Sequence, residues 1–154
     1  MQIDVAGLVP HQGAMCLLDY VESWSDDHIV CRATSHRRPD HPLRDGSRLR
    51  ALCAIEYGAQ AIAAHARLLG QSAGSGVAIG FLAAVREVVV SMAFLDEIED
   101  SMTIRAQVRL RHETGRIYDI AVTAGKQIIL TGRLSVKVPA AHAVDAPGVS
   151  RQGP

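Results

Sequence analysis

Residues 51–69 read ALCAIEYGAQAIAAHARLL, and this stretch decides the fold. Its side chains are apolar nearly all the way round a helix, which is typical of a helix enclosed by protein. We predict a helix from Leu49 to Leu69, with Ser47 as its N-cap and Gly70 as its C-terminal stop. Seven alanines would let other segments pack closely on several sides; they stand at positions 51, 54, 59, 61, 63, 64 and 66. A strongly curved sheet wrapped around this helix would fit that demand.

The chain on both sides of this helix has the pattern of β-strands. Ser101–Arg111 alternates, so Ile104, Ala106, Val108 and Leu110 are predicted to share the core face. Two strands, a helix and about four more strands predict an α+β fold, with one antiparallel sheet around one helix. Edge strands would remain, and pairing of two sheets in a dimer is the expected remedy. The predicted strands are 15–21, 28–34, 77–90 with a bend near Gly80, 101–111, 116–123 and 127–138.

The 154 residues fit one domain, and 48% of them are hydrophobic while only 4% are aromatic. We assign residues 1–138 to a single domain and expect 139–154 to be a disordered tail, because that segment is rich in Ala, Pro and Gly without periodicity. The formal net charge is zero, which gives no overall field for nucleic acid or anionic lipid. We therefore expect no nucleic-acid partner.

The N-terminus has no basic start followed by an apolar stretch, and no apolar run reaches membrane-spanning length. Three cysteines, Cys16, Cys31 and Cys53, have neither CxxC nor metal-ligand spacing, and their odd number argues against a disulfide framework. We interpret them as reduced core residues. The sequence thus predicts a cytoplasmic protein that does not associate with membranes.

Glu56 is the most informative single residue, because a carboxyl group within this helix would lie in apolar surroundings. Burial favours the neutral form of a carboxyl group, which is a proton donor near neutral pH. Gln60 follows one turn later on the same face, where its amide can orient the carboxyl group. The structural alternative is a glutamate at a polar helix end or bonded to a buried arginine.

A carboxylic acid needs a partner base, and histidine has the side chain suited to that role. His11 lies just before the first predicted strand, and His41 lies in the loop before the helix. The other histidines are interpreted as turn, tail, loop or helix residues: His28, His36, His65, His112 and His142. None of the seven has metal-binding spacing, and the sequence contains neither a GxSxG nor a GxGxxG motif. We expect no metal and no cofactor.

Two motifs resemble a known enzyme family. The segment from Leu8 to Asp19, LVPHQGAMCLLD, resembles the Leu-Pro-His and Leu-Leu-Asp opening of the FabZ-type 3-hydroxyacyl-acyl-carrier-protein dehydratases. The segment 55–61, IEYGAQA, resembles their helix motif, in which Glu is followed four residues later by Gln. The tripeptide Ile55-Glu56-Tyr57 and the short loop before it are most similar to the ApeP-like branch, which is associated with aryl polyene pigment assembly.

This resemblance implies a hot-dog fold that works as a dimer, either with itself or with another hot-dog subunit. The family removes water from a 3-hydroxyacyl chain carried on the phosphopantetheine of an acyl carrier protein. A histidine takes the proton next to the thioester, and the helix acid protonates the departing hydroxyl group. Glu56 matches that acid, while Gln60 and Tyr57 are expected to shape the substrate site.

The chain departs from the family at the catalytic histidine. FabZ enzymes carry it in a Gly-His-Phe-Pro-Gly loop, where this chain has the shorter and more polar PDHPLRDGSRLR. Alignment on Pro42-Leu43 puts His41 before the missing loop, so His11 is the preferred base. His41 is the second candidate and a substrate-binding residue, and complete loss of the base is the third alternative.

Other functions stay open at this point. A thioesterase would use the same fold and place the helix carboxylate against water. A non-catalytic subunit would pair with an active hot-dog partner, and a plain binding module is a further alternative. Clustered arginines either steer an acidic carrier protein or form a solvated face; they are Arg37, Arg38, Arg44, Arg48, Arg50, Arg105, Arg109 and Arg111.

Overall fold

A single long helix, α1 (Ala54–Ser72), runs along one face of a curved sheet in the computed structural model, which describes residues 1–74 and 80–138. The side of α1 toward the sheet is buried, with Tyr57, Ala61 and Leu68 among its members. A Cβ atom on Gly58 would lie 2.7 Å from Cδ1 of Ile120 in the sheet. The missing side chain therefore lets α1 approach the sheet closely, as the small-residue pattern predicted.

Within the described part of the chain, seven strands form the sheet, and every neighbouring pair is antiparallel. Their order across the sheet is β1-β2-β3-β5-β6-β7-β4, so the strand that follows α1 lies at one edge. The predicted α+β arrangement of one antiparallel sheet around one helix is confirmed. The strands are β1 (Ile3–Asp4), β2 (Tyr20–Trp24), β3 (His28–Ala33), β4 (Phe81–Val90), β5 (Met102–His112), β6 (Gly115–Ala124) and β7 (Gln127–Lys137).

The predicted ends of the helix are wrong at both sides. Leu49 accepts a backbone hydrogen bond from Leu95, and Ala51 donates one to Ala93, so this stretch pairs with residues 93–95. A short 3-10 turn (Ala51–Cys53) follows, and α1 begins only at Ala54 without a side-chain cap from Ser47. Gly70 lies inside the helix. The chain turns at Gly74, whose positive φ of 64° suits a residue without a side chain.

The first predicted strand is also displaced. Met15 ends a 3-10 turn (Gly13–Met15), and β2 begins only at Tyr20. The residues between them satisfy their backbone groups differently, because the Gln60 side chain accepts from the Leu17 amide and donates to the Met15 carbonyl. A side chain from α1 thus replaces a neighbouring strand. The short β1 was not predicted.

The later strands follow the prediction more closely. The hairpin of β6 and β7 turns at residues 124–126 as predicted, with Gly125 at a φ of 55°. In β5, Ile104 and Ala106 face the core, but the register shifts between Val108 and Leu110. Leu110 is consequently exposed, so the prediction that it shares the core face is wrong.

The edge strand β4 carries an unusual number of exposed apolar side chains. Val89, for example, is 60% exposed. The strand has a bulge, where Glu87 adopts a φ of 53°. Such an edge with apolar side chains is typical of a surface that pairs with another chain. The exposed apolar residues on β4 are Phe81, Leu82, Val85, Val89 and Val90.

All three cysteines are free, with Cys31 buried in the core and Cys16 and Cys53 packed against it. Burial raises the pKa of the Cys31 thiol to about 12. No helix within 1–74 and 80–138 is both long and apolar enough to cross a bilayer. The predicted tail (139–154) and the predicted strand start (77–79) fall outside the described residues.

Candidate active site

His11 and Glu56 lie side by side in the structure. His11 belongs to the segment that precedes the 3-10 turn Gly13–Met15, and Glu56 lies in the first turn of α1. Nε2 of His11 is 3.3 Å from Oε1 of Glu56. Nδ1 of His11 is buried and has no hydrogen-bond partner among the described residues. Nε2 is therefore the ring nitrogen that faces the carboxyl group of Glu56.

Gln60 connects this pair to the rest of the fold. Its amide nitrogen donates to Oε1 of Glu56 at 3.2 Å and to the Met15 carbonyl at 2.6 Å, and its oxygen accepts from the Leu17 amide at 2.9 Å. The amide group is fully buried. Gln60 orients the Glu56 carboxyl group, as the helical spacing indicated, and also attaches the segment after His11 to α1.

The surroundings of Glu56 differ from the apolar enclosure that the sequence suggested. Its side chain is 31% exposed, and that of His11 is 35% exposed. The reason is that only one side of α1 faces the sheet. The opposite side, which is also apolar, faces a cavity.

This cavity, the α1 cavity, has a volume of about 650 Å³. Glu56 and His11 line it near the start of α1, and Arg67 and Arg116 line it farther along the helix. The wall between them is largely apolar, which suits the hydrocarbon part of a ligand. Its apolar lining includes Leu8, Val9, Pro10, Ala59, Ile62, Ala63, Ala66, Leu69, Leu82, Val136 and Val138.

His41 and Tyr57 take part in a different, fully buried group. The Leu43 amide donates to Nδ1 of His41 at 3.1 Å, so the imidazole proton is on Nε2, which donates to the Tyr57 hydroxyl at 3.0 Å. The Ser35 hydroxyl donates to the Leu17 carbonyl at 2.7 Å and accepts from Tyr57 at 2.7 Å. Every donor in this series of hydrogen bonds has one acceptor.

This chain of bonds requires a neutral imidazole. Burial, together with nearby Arg38 and Arg44, lowers the pKa of His41 to about 4. Burial likewise raises the pKa of Tyr57 to about 12. Neither residue lines the α1 cavity. The structure thus leaves His11 as the histidine beside Glu56, and contact of His41 and Tyr57 with a substrate stays a prediction.

Two further histidines are buried and serve the fold. His65 donates from Nε2 to the Ser25 carbonyl at 2.7 Å and accepts at Nδ1 from the Tyr118 hydroxyl at 2.9 Å. His36 donates to the Ile98 carbonyl at 3.1 Å. Burial lowers the pKa of both histidines. Within 1–74 and 80–138 no cluster of three or more His, Cys, Asp and Glu side chains is arranged to hold a metal ion.

The clustered arginines mostly bind their own chain. Arg38 donates to the Ala14 carbonyl, Arg44 donates to three carbonyl groups of the loop before α1, and Arg48 pairs with Asp96 and Glu97. Arg37, Arg105, Arg109 and Arg111 also donate to groups of this chain. Among the described residues Arg50 alone of the eight has no such bond, so the cluster chiefly fixes loops and strands. Sequence reasoning missed Arg67 and Arg116, although Arg67 lies on the helical stripe of Glu56.

Comparison with solved structures places this architecture in the hot-dog class. The dehydratase heterocomplex ApeI:P from Xenorhabdus doucetiae matches with a TM-score of 0.78 and 24% identity, covering 90% of this chain and 93% of that one. The thioesterase SAV0944 from Staphylococcus aureus matches with a TM-score of 0.54 and 16% identity, covering 78% and 92%. The PaaI protein of Escherichia coli, from the phenylacetic acid degradation operon, matches with a TM-score of 0.53 and 16% identity, covering 76% and 80%.

The family follows from the sequence itself. The model of the ApeP-like family, described as ApeP dehydratase, matches residues 3–146. The chain belongs to this ApeP-like dehydratase family. No curated protein matches the sequence.

Proposed function

We propose that the chain removes water from a 3-hydroxyacyl thioester and leaves a trans-2-enoyl thioester, with His11 as the base and Glu56 as the acid. The observation that carries this proposal is the 3.3 Å contact between His11 and Glu56 at the wall of a largely apolar cavity. Membership of a dehydratase family supports the same reaction. The substrate would be held on the phosphopantetheine of an acyl carrier protein, in fatty-acid or aryl-polyene-type biosynthesis.

The reaction needs one base and one acid on neighbouring carbons. Nε2 of His11 takes the proton from C2, the electrons of that C–H bond form the C2–C3 double bond, and the C3–O bond breaks. Glu56 gives its proton to the departing hydroxyl group, which leaves as water. The proton on His11 then returns to Glu56 across their 3.3 Å contact, which restores both groups.

Gln60 and the apolar wall support this chemistry without taking part in it. The hydrogen bond from Gln60 limits rotation of the Glu56 carboxyl group, which keeps its second oxygen directed to a ligand. Apolar side chains along α1 exclude water from the bound acyl chain. Positioning and exclusion of water each favour the elimination over side reactions.

A hot-dog partner subunit belongs to the proposal. The exposed apolar side chains of β4 offer a sheet edge to a second chain, either a copy of this one or a different hot-dog protein. The solved ApeI:P relative is a heterocomplex, which favours a different subunit as the partner.

A non-catalytic role beside an active partner is the second candidate function, because the usual histidine loop is missing. The free cysteines favour a cytoplasmic setting.

The test is mass spectrometry of a 3-hydroxyacyl carrier protein incubated with the chain alone and then with a hot-dog partner. The proposal expects the acyl group to lose one water while staying attached to the carrier. Release of the free acid would instead support a thioesterase, a class that shares this fold. Water loss that requires the partner and survives replacement of Glu56 would show that the chain is a non-catalytic subunit.

A further inference from the structure

The α1 cavity has a second polar end that the proposed reaction does not use. Glu56 and Arg67 are eleven residues apart on α1, close to three full turns, so their side chains leave the same face of the helix. At a rise of 1.5 Å per residue the two positions are about 16 Å apart along the helix axis. Arg116 on β6 lines the cavity together with Arg67.

The wall between these ends indicates which part of a thioester lies there. Along α1 it consists of Ala59, Ile62, Ala63 and Ala66, none of which offers a side-chain hydrogen bond. A phosphopantetheine arm carries two amide groups, and their burial against such a wall without partners is unfavourable. Hydrocarbon has no such cost. The acyl chain therefore fits this wall better than the pantetheine arm does.

Two cationic side chains, Arg67 and Arg116, line the end of the α1 cavity that is far from Glu56. Arg67 and Arg116 belong to none of the ion pairs formed by the described residues. Glu113 also lines this end, which leaves an excess of one positive charge over these three side chains. An alkyl chain end would desolvate the guanidinium groups without accepting hydrogen bonds from them. A carboxylate would accept charge-assisted hydrogen bonds from them.

We propose that Arg67 and Arg116 bind a carboxylate at the far end of the acyl chain, so that the preferred ligands are thioesters of dicarboxylic acyl groups. This inference rests on the proposed dehydration of a thioester, but it assigns an acyl group that ends in a carboxylate in place of the methyl-ended chain of fatty-acid biosynthesis. It predicts that affinity depends on the chemistry of the chain end as well as on chain length.

Calorimetry with saturated acyl-pantetheine thioesters of matched length tests the proposal, using ends that are a carboxylate, its methyl ester or a methyl group. The carboxylate should bind about tenfold more tightly than its ester, the usual order for a charge-assisted hydrogen bond. Arg67→Gln and Arg116→Gln should each lose this preference. Lys126→Gln removes one charge from the β6–β7 turn, outside the cavity, and should retain it.

Equal affinity for all three ends in the unsubstituted protein would overturn the proposal, whether or not the variants fold. A second set of ligands carries the phosphate on the pantetheine. If the phosphate raises the binding affinity in the unsubstituted protein but not in Arg67→Gln and Arg116→Gln, these arginines bind the phosphopantetheine arm. That result would also overturn the carboxylate proposal. Saturated thioesters cannot be dehydrated, so a carboxylate preference without any turnover of 3-hydroxyacyl substrates would reject the dehydration and retain the subsite.

Discussion

Nε2 of His11 lies 3.3 Å from Oε1 of Glu56, and both residues belong to the same chain. Two separate elements set this distance: the segment before the 3-10 turn Gly13–Met15 and the first turn of α1. Gln60 joins them by hydrogen bonds to Met15, Leu17 and Glu56. The proposed acid and base therefore lie side by side within one subunit, and a partner subunit is not required to bring them together.

Glu56→Gln should abolish dehydration and leave the fold intact. The amide has the same shape but cannot deliver the proton to the departing hydroxyl, so we expect turnover to fall by about 10² to 10⁴. The rate of enoyl-thioester formation and the thermal unfolding midpoint together check this. Glu99→Gln, at an exposed site outside the α1 cavity, is the matched control and should keep its turnover. Near-normal turnover in Glu56→Gln would exclude Glu56 as the acid.

Replacement of the two candidate histidines should separate catalysis from stability. His11→Asn should reduce turnover by about 10² to 10⁴ because the base is lost. His41→Asn should leave turnover per folded molecule nearly unchanged. It should lower the free energy of unfolding by about 1 to 3 kcal/mol, since Tyr57 and the Leu43 amide lose their partner. The opposite pattern, with activity lost only in His41→Asn, would make His41 the base.

Gln60→Leu tests the connection between α1 and the segment that carries His11. The Leu17 amide and the Met15 carbonyl would lose their partner, with a cost of about 1 to 3 kcal/mol for each buried group. A looser His11 segment should also lower kcat, while KM for the acyl chain changes less. Gln71→Leu, an exposed site near the end of α1, serves as the control in urea unfolding and steady-state kinetics. Lower stability with unchanged kcat would limit Gln60 to a structural role.

The sequence predicted those features that local patterns control. The composition of α1, the alternation of β5 and the turn between β6 and β7 depend on neighbours along the chain, so these elements were found. The true start of α1 depends on pairing of Leu49 and Ala51 with residues 93–95, more than forty positions away. Likewise, the stretch after Met15 is held by Gln60 and not by a strand. Such long-range bonds leave no local pattern.

The site was predictable in part for the same reason. Two motifs singled out His11 and Glu56 as candidates, and helical spacing placed Gln60 beside Glu56; the structure brings these three side chains together, and their roles in catalysis stay predictions. Their exposure was not predictable, because an apolar helix face can meet either a sheet or a cavity. The buried group of His41, Tyr57 and Ser35 also escaped prediction, since Tyr57 on α1 bonds to two residues of the preceding loop that are 16 and 22 positions away in sequence.

Val89→Lys tests the predicted partner surface. A charge at the most exposed apolar side chain of β4, near the end of the strand, should oppose burial against a second chain. We expect analytical ultracentrifugation to show a dimer for the unsubstituted protein, either with a second copy or with a different hot-dog subunit. The Val89→Lys variant should sediment as a monomer. Leu52→Lys, which adds the same charge at an exposed apolar site outside β4, should not change the assembly. Retention of the dimer in Val89→Lys would place the interface elsewhere.

Stability should fall in mild acid because His41 is buried in its neutral form. Burial lowers its pKa from the ordinary 6.5 to about 4, so between these values the unfolded chain binds a proton that the folded chain does not. The free energy of unfolding therefore decreases as pH falls through this window, by about 3 kcal/mol for His41 at a pKa of about 4, and the loss levels off below it. Burial shifts the pKa of His36 and His65 in the same direction, which adds to the slope.

Urea unfolding across this range checks the prediction. His41→Gln should be less stable near neutral pH yet show a shallower pH slope, since one proton no longer binds on unfolding. An unchanged slope in that variant would show that His41 already takes up its proton in the folded protein.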